Sequence, residues 1–231
     1  MTTNIRPEEL NYNEYDQKVY DKEIKLAIPG HTKMHDIIEN RILKKVPDNP
    51  IKILELGVGT GLTAERILKK IPKADYTAID FSRSLLDKAI LRLKNYNTRF
   101  IFDDFSKVIF SGNHDIVVSV IGIHHQNNSG KKRLFRKISN SLKPGGIFIF
   151  GDLFTYKDPL EAALNEAKHY HNLVENMKNQ KSLRLWAHHH KFLNLLAPLE
   201  DQMEWLKQAG FKKVEILYRK YNTVLTVANK S

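Results

Sequence analysis

Ile53-Leu-Glu-Leu-Gly57-Val-Gly59-Thr-Gly61 is the stretch that decides how this chain folds. A short apolar run at 51–56 meets three closely spaced glycines, and an amphipathic segment starts at Leu62. Glycine lets the backbone turn sharply and lets a ligand lie against the main chain. Strand, tight turn and helix in that order open an α/β unit, whose ligand sits outside the carboxyl end of the strand. The glycine spacing separates two ligand classes. A dinucleotide fingerprint reads G-x-G-x-x-G, so that a pyrophosphate reaches the helix N-terminus. Here the third glycine is Gly61, and Leu62 holds the place that fingerprint needs. The acid just upstream, Glu55, suits a ligand with a positive amino or sulfonium group and suits a pyrophosphate poorly.

Outward from this turn the pattern alternates. Strands are predicted at 51–56, 75–79, 99–102, 115–121 and 147–150, and helices at 62–71, 82–95 (with Ser82 as N-cap) and 129–142. Short β-branched runs separated by helices imply a parallel sheet covered on both faces. Residues 157–209 break the rhythm and read as three helices, near 158–179, 182–196 and 200–209. An antiparallel pair at 214–219 and 222–228 then finishes the sheet. Before the sheet, 14–27 reads as one helix, stopped by Ile28-Pro29-Gly30. A second helix carries Met34, Ile37, Ile38 and Ile42 on one face. The expected architecture is an α/β fold with a seven-stranded, mostly parallel sheet and an antiparallel last strand. A helical cap or lid spans 1–46, and the main domain spans 47–231 with a helical insertion at 157–209.

The 231 residues suffice for one such domain. Lys and Arg exceed Asp and Glu by 37 to 26, a net charge of +11, which favours phosphates, RNA or an anionic small substrate. The basic residues are spread along the chain, and the densest run, Lys131-Lys132-Arg133 with Arg136-Lys137, reads as the solvated start of a helix. The absence of cysteine excludes disulfides, a thiolate nucleophile and a Cys-ligated metal. No apolar stretch approaches the roughly 18 residues that span a bilayer, and the first 30 residues lack the apolar core of a signal peptide. A cytoplasmic protein with no membrane partner is the expectation.

Acids recur at the strand ends. Asp80 closes the second strand, where a carboxylate either accepts the two hydroxyls of a ribose or caps the following helix. Phe81 beside it can pack on an adenine. Asp104 closes the third strand, with Phe105 after it. The order Glu-x-Gly-x-Gly-x-Gly, Ile79-Asp80, Asp104-Phe105, Asp115-Ile-Val-Val-Ser and Leu142-Lys-Pro-Gly-Gly resembles class I S-adenosylmethionine-dependent methyltransferases over roughly residues 50–155. Ile28-Pro29-Gly30 and Glu204-Trp-Leu-Lys-x-Ala-Gly-Phe211 are similar to the branch that includes the tRNA wobble-uridine carboxy-S-adenosylmethionine enzymes and related small-molecule methyltransferases. The resemblance implies a Rossmann-like domain that binds S-adenosylmethionine. Glu55, Gly57, Gly59 and Gly61 would hold its methionine end, Asp80 and Phe81 its ribose and adenine, and Asp104 and Phe105 the adenine edge. Val120 would contribute backbone beside the sulfonium. His31 stands where that branch carries a cofactor-contacting Tyr, and Arg184 is the nearest counterpart of the Arg that grips a carboxylated cofactor.

By the same resemblance, the loop Ile121-Gly-Ile-His124-His125-Gln126 faces the transferred methyl. His124 and His125 either take a proton from an oxygen or nitrogen acceptor or only shape the loop. Tyr20 belongs to a segment similar to the family's lid. His188-His189-His190 cannot converge on one ion from a helix, where neighbours point about 100° apart, and His31 and His35 have no acidic partner at a fixed offset. No metal is expected. His169, His171, Arg184 and Trp186 lie on the insertion that would wall the acceptor pocket. The leading expectation is methyl transfer to an oxygen or nitrogen of a small-molecule acceptor. The alternatives are a tRNA-modifying enzyme with RNA as partner, an intramolecular reaction of the cofactor, and a non-catalytic cofactor-sensing module.

Overall fold

The computed structural model describes residues 10–16, 18–43 and 51–231. Seven strands form one sheet in the order β3-β2-β1-β4-β5-β7-β6. They are β1 Lys52–Leu56, β2 Asp75–Asp80, β3 Thr98–Phe102, β4 His114–Val120, β5 Leu142–Leu153, β6 Phe211–Lys220 and β7 Thr223–Lys230. Strands β1 to β5 pair in parallel, and β7 runs antiparallel to both β5 and β6. The expected mostly parallel sheet with an antiparallel last strand is the observed one. The switch in strand order falls between β1 and β4, so the crevice outside their carboxyl ends is where an open α/β sheet binds its ligand.

Helices α3 (Leu62–Lys70), α4 (Arg83–Arg92) and α5 (Asn128–Ser141) connect the parallel strands, and α6 (Pro159–Asn176), α7 (Gln180–Phe192) and α8 (Leu199–Gln208) form the insertion. Three of these helices start on side-chain caps. Asn127, Asp158 and Asn179 accept from the N–H of Gly130, Glu161 and Ser182. Ser82 occupies the cap position of α4, but its hydroxyl meets Ser84 Oγ, and Asp80 takes the nearby N–H of Ser82 instead.

Three sequence expectations change. The single helix at 14–27 is a 3₁₀ turn at Tyr12–Glu14 followed by α1, Tyr20–Ala27. Asn11 and Asp16 accept from the N–H groups of Asn13 and Lys18, which offers the backbone an alternative to helix. Strand β5 starts at Leu142 rather than 147, with a register break before Ile147 that absorbs Lys143-Pro-Gly-Gly. Lys131, read as part of a solvated face, is buried. It donates to the carbonyls of Gln126 and Leu195 and so ties the β4–α5 loop to the chain after α7.

Helix α2, His31–Leu43, places Met34, Ile38 and Ile42 in the same buried cluster as Ile53, Val118 and Ile149 of the sheet. A Cβ on Gly151 of β5 would come within 2.6 Å of Met34 Sδ, so the helix lies directly on the strand. The expected boundary near residue 46 falls outside the described residues. The polar start, 1–9, falls outside them as well.

Candidate active site

The crevice opens where β1 turns into α3. Gly57, Gly59 and Gly61 all have positive φ, at +76°, +56° and +83°, a region L side chains rarely adopt. A Cβ on Gly59 would meet nothing within 4 Å, so that stretch of backbone borders open space. A cavity of about 670 Å³, counting its mouth, spreads from this turn. Gly57 and Gly59 form its floor, Asp80 its far side, Phe81 and Phe105 an apolar flank, and His31, Tyr20 and Tyr12 its roof.

Asp80 is buried at the tip of β2. Its two carboxylate oxygens accept from the N–H of Gly59 (2.7 Å) and of Ser82 (2.8 Å). Burial pushes its carboxyl up to about 6, against the pull of those backbone donors. Of the other expected cofactor residues, His31, Gly57, Gly59, Phe81, Phe105 and Val120 line the cavity. Three do not. Glu55 lies under the floor, where it accepts from Tyr76 Oη at 2.8 Å, and burial lifts its carboxyl to about 8. Gly61 packs against α4, with Ala89 and Leu93 at van der Waals distance from where its Cβ would be. Asp104 is half-buried and turns back to accept from Ser106 N.

The roof is built from both ends of the chain. Asp21 of α1 accepts from Thr60 Oγ1 (2.6 Å) in the glycine turn and pairs with Arg92 of α4, which also donates to the Thr60 carbonyl. Buried Glu23 accepts from Ser182 Oγ and Trp186 Nε1 of α7, and Asn172 of α6 donates to the Leu26 carbonyl. Tyr15, Tyr20 and Trp186 pack edge to face or tilted at 4.9–5.8 Å between centroids.

The expected methyl-facing loop follows β4. Ile121 has φ +54°, a strained conformation for a β-branched residue. A 3₁₀ turn, Ile123–His125, carries both buried histidines. The Nδ1 of His124 is bonded to Asp152 Oδ1, and the His124 N–H donates to Asp152 Oδ2 at 3.0 Å. Asp152 lies at the carboxyl end of β5, fully buried. Sequence reasoning missed it. The available signal was its place at a strand tip, as for Asp80. His125 Nδ1 donates to the Leu193 carbonyl at 2.7 Å, its Nε2 lies 3.5 Å from Tyr12 Oη, and burial holds its ring neutral.

Beyond Ile121 a second cavity, with only about 20 Å³ of free space, room for about one water, is lined by His124, His169, His189, His190 and Asn194 on one side and by apolar side chains such as Ile28 and Leu173 on the other. His169 and His190 stack at 3.8 Å, and His169 is bonded to Asn222. Two buried polar atoms in this neighbourhood, Asn194 Oδ1 and Asn222 Nδ2, have no hydrogen-bond partner. Arg184, in contrast, is exposed, and among the described residues no Lys or Arg lines either cavity.

The first cavity fits an adenosyl amino acid. Apolar flanks and the Asp80 carboxylate would suit the nucleoside, and the buried Nδ1 of His31, which has no hydrogen-bond partner, would offer a polar contact where the roof meets the glycine turn. Residues 53–146 match a family described as a methyltransferase domain. Over 227 residues the chain is 26% identical to a carboxy-S-adenosyl-L-methionine synthase of Nautilia profundicola, covering 96% of this chain and 95% of that one. Over 135 residues it is 30% identical to a malonyl-[acyl-carrier protein] O-methyltransferase of Bacillus cereus, covering 58% of this chain and 48% of that one. A similar solved structure is the CurJ carbon methyltransferase, with a TM-score of 0.68, 19% identity, and coverage of 98% of this chain and 61% of that one.

Proposed function

We propose that this chain, a class I S-adenosylmethionine-dependent methyltransferase, methylates an oxygen or nitrogen of a small polar acceptor that enters at the histidine-lined cavity beyond Ile121 when the roof opens. The observation that carries this reading is the buried His124–Asp152 pair, set at the tips of adjacent strands between the cofactor crevice and that cavity. Bound S-adenosylmethionine supplies an electrophilic methyl group on a sulfonium. The protein's own residues do the rest. Asp80 accepts the ribose hydroxyls, Phe81 and Phe105 flank the adenine, and the glycine turn with His31 faces the amino-acid end. Asp152 fixes the orientation of the His124 ring, which leaves Nε2 to accept the acceptor's proton. Tyr12, Tyr20 and α1 exclude water from above.

A second reading, chemistry on a carboxylated derivative of the cofactor, is favoured by the full-length likeness to the Nautilia synthase. The cation-free lining counts against it, because a buried carboxylate calls for a charged or hydrogen-bonded partner. Incubation with methyl-labelled S-adenosylmethionine and either a small-molecule cell extract or bulk tRNA separates the possibilities. We expect label in the small-molecule fraction. His124→Gln and Asp152→Asn should lower the rate by about 10²–10⁴-fold and leave S-adenosylhomocysteine affinity unchanged. Label in tRNA, or a modified cofactor and no labelled acceptor, would overturn the proposal.

A further inference from the structure

We propose that His124, His125 and His189 bind a divalent transition-metal ion through their Nε2 atoms, with a fourth position open to an oxygen of the acceptor. The inference rests on the acceptor cavity described above and changes one role there: with the ion in place His124 Nε2 is a ligand rather than the base, and the proton of the acceptor's hydroxyl, made more acidic by the ion, leaves to water. The helical run 188–190 cannot form a site alone, and in the structure it does not. His188 is exposed against Phe192, and His190 stacks on His169. His189 alone turns toward the β4 loop, where one ligand nitrogen from each of the three buried histidines lies within 4.8 Å of the others.

What marks the trio as a site is the second partner of each ring. His124 Nδ1 is held by the Asp152 carboxylate, His125 Nδ1 by the Leu193 carbonyl, and His189 Nδ1 by Tyr15 Oη at 2.7 Å. Each partner can accept an Nδ1–H, which puts the lone pair on Nε2. Carboxylate, carbonyl and hydroxyl behind imidazoles are the outer-shell partners that fix the tautomer of metal-binding histidines. Tyr12 Oη lies near the ligating nitrogen of His125, at a long 3.5 Å from its Nε2. Metal–nitrogen bonds of about 2.0–2.1 Å place tetrahedral nitrogens roughly 3.3 Å apart, so an ion draws the set in by about 1.5 Å at its widest. The two neighbouring histidines share one 3₁₀ turn, and the third sits at a helix end that can shift toward them. Three imidazoles select zinc, iron, cobalt, nickel or copper and disfavour magnesium or calcium. Three protein ligands with one open position make the catalytic type of site.

Cobalt(II) added alone to metal-free full-length protein tests this. We expect one equivalent to bind with the intense visible bands of a four-coordinate ion, and zinc(II) to displace it. His189→Gln and His125→Gln should weaken cobalt affinity by at least 100-fold, and Asp152→Asn by about 10–100-fold. His188→Gln, on the exposed neighbour, should bind as the parent does. S-adenosylhomocysteine affinity, measured on each variant, reports that the fold is intact. Cobalt binding that survives in His189→Gln, or its absence from the parent protein, overturns the metal site and leaves the methyl-transfer proposal standing. Stoichiometric cobalt with no labelled small molecule overturns the methyl-transfer proposal alone.

Discussion

We expect Asp80 to couple cofactor binding to pH, and the size of the effect follows from its surroundings. In the free protein burial holds the carboxyl near 6, against an ordinary value of 3.8. Ribose hydroxyls donating to its oxygens favour the ionised form and pull it back down. Suppose the bound value returns to 3.8. At pH 7.5 both states are then ionised and the dissociation constant is unaffected. At pH 5 the free carboxyl is mostly protonated and the bound one is not, so the constant rises about tenfold, or about 1.4 kcal/mol. Calorimetric titration with S-adenosylhomocysteine between pH 7.5 and 5 reads this directly, because the ligand's own groups do not titrate there. Asp80→Asn should bind about 10–100-fold more weakly at pH 7.5, since it loses charge-assisted hydrogen bonds worth about 1.5–3 kcal/mol. It should also lose the acid dependence. A parent protein whose affinity is flat across this range, or an Asn variant with the same slope, refutes the role given to Asp80.

Three further outcomes follow from groups outside the cofactor contacts. Glu55 has its carboxyl raised from 4.5 to about 8, so between these values the native state holds a proton that the unfolded chain releases, and stability falls as pH rises. Glu55→Gln removes that loss. Chemical denaturation should show the variant gaining on the parent by roughly 1.4 kcal/mol per pH unit from pH 5 to 8 and no further above, and parallel curves would contradict the assignment. The Asp21–Arg92 pair is partly exposed and adds about 1 kcal/mol or less, so Asp21→Ala should speed S-adenosylhomocysteine release about fivefold in stopped flow, an unchanged rate showing that α1 is not the lid. Lys131→Met leaves two loop carbonyls without their donor at a cost of about 2–4 kcal/mol, visible as a lower urea midpoint with an unchanged slope.

The sheet was legible because its strands carry their own periodicity. Ile51, Ile53, Leu54 and Leu56, and the run Ile116-Val-Val, are apolar on both sides of the strand, as strands covered on both faces are, and the glycine turn announces where the crevice lies. The site was legible only as far as single positions go. Asp80 and Phe81 are neighbours in sequence and act together. His124 and Asp152 are 28 residues apart, and their contact exists only because β4 and β5 pair in parallel with Val120 opposite Gly151. His189 joins His125 through the packing of α7 on the β4 loop, which no spacing rule encodes. Lys131 misled because charge runs usually face water. Here two backbone carbonyls replace the water, and burial lowers its ammonium to about 8.

Floor and roof divide the labour of this molecule. The matched methyltransferase segment, 53–146, contains the glycine turn, Asp80, Phe81, Phe105 and the His124–His125 turn. All of these sit at or just beyond the carboxyl ends of the parallel strands β1 to β4. The roof, residues 12–16 and 18–43 with the insertion 157–209, lies outside that segment and is held to the floor by polar ties that include Asp21 to Thr60 and Arg92, Arg66 to Asp36 and Glu39, and Lys131 and His125 to the Leu195 and Leu193 carbonyls. The roof contributes His169, His189, His190 and Asn194 to the second cavity, the proposed acceptor site. A scaffold built this way keeps its cofactor chemistry while the roof changes its acceptor. Relatives named for different products can then share the floor, and on the function proposed above the insertion, rather than the motif that reveals the fold, is where the acceptor would be chosen.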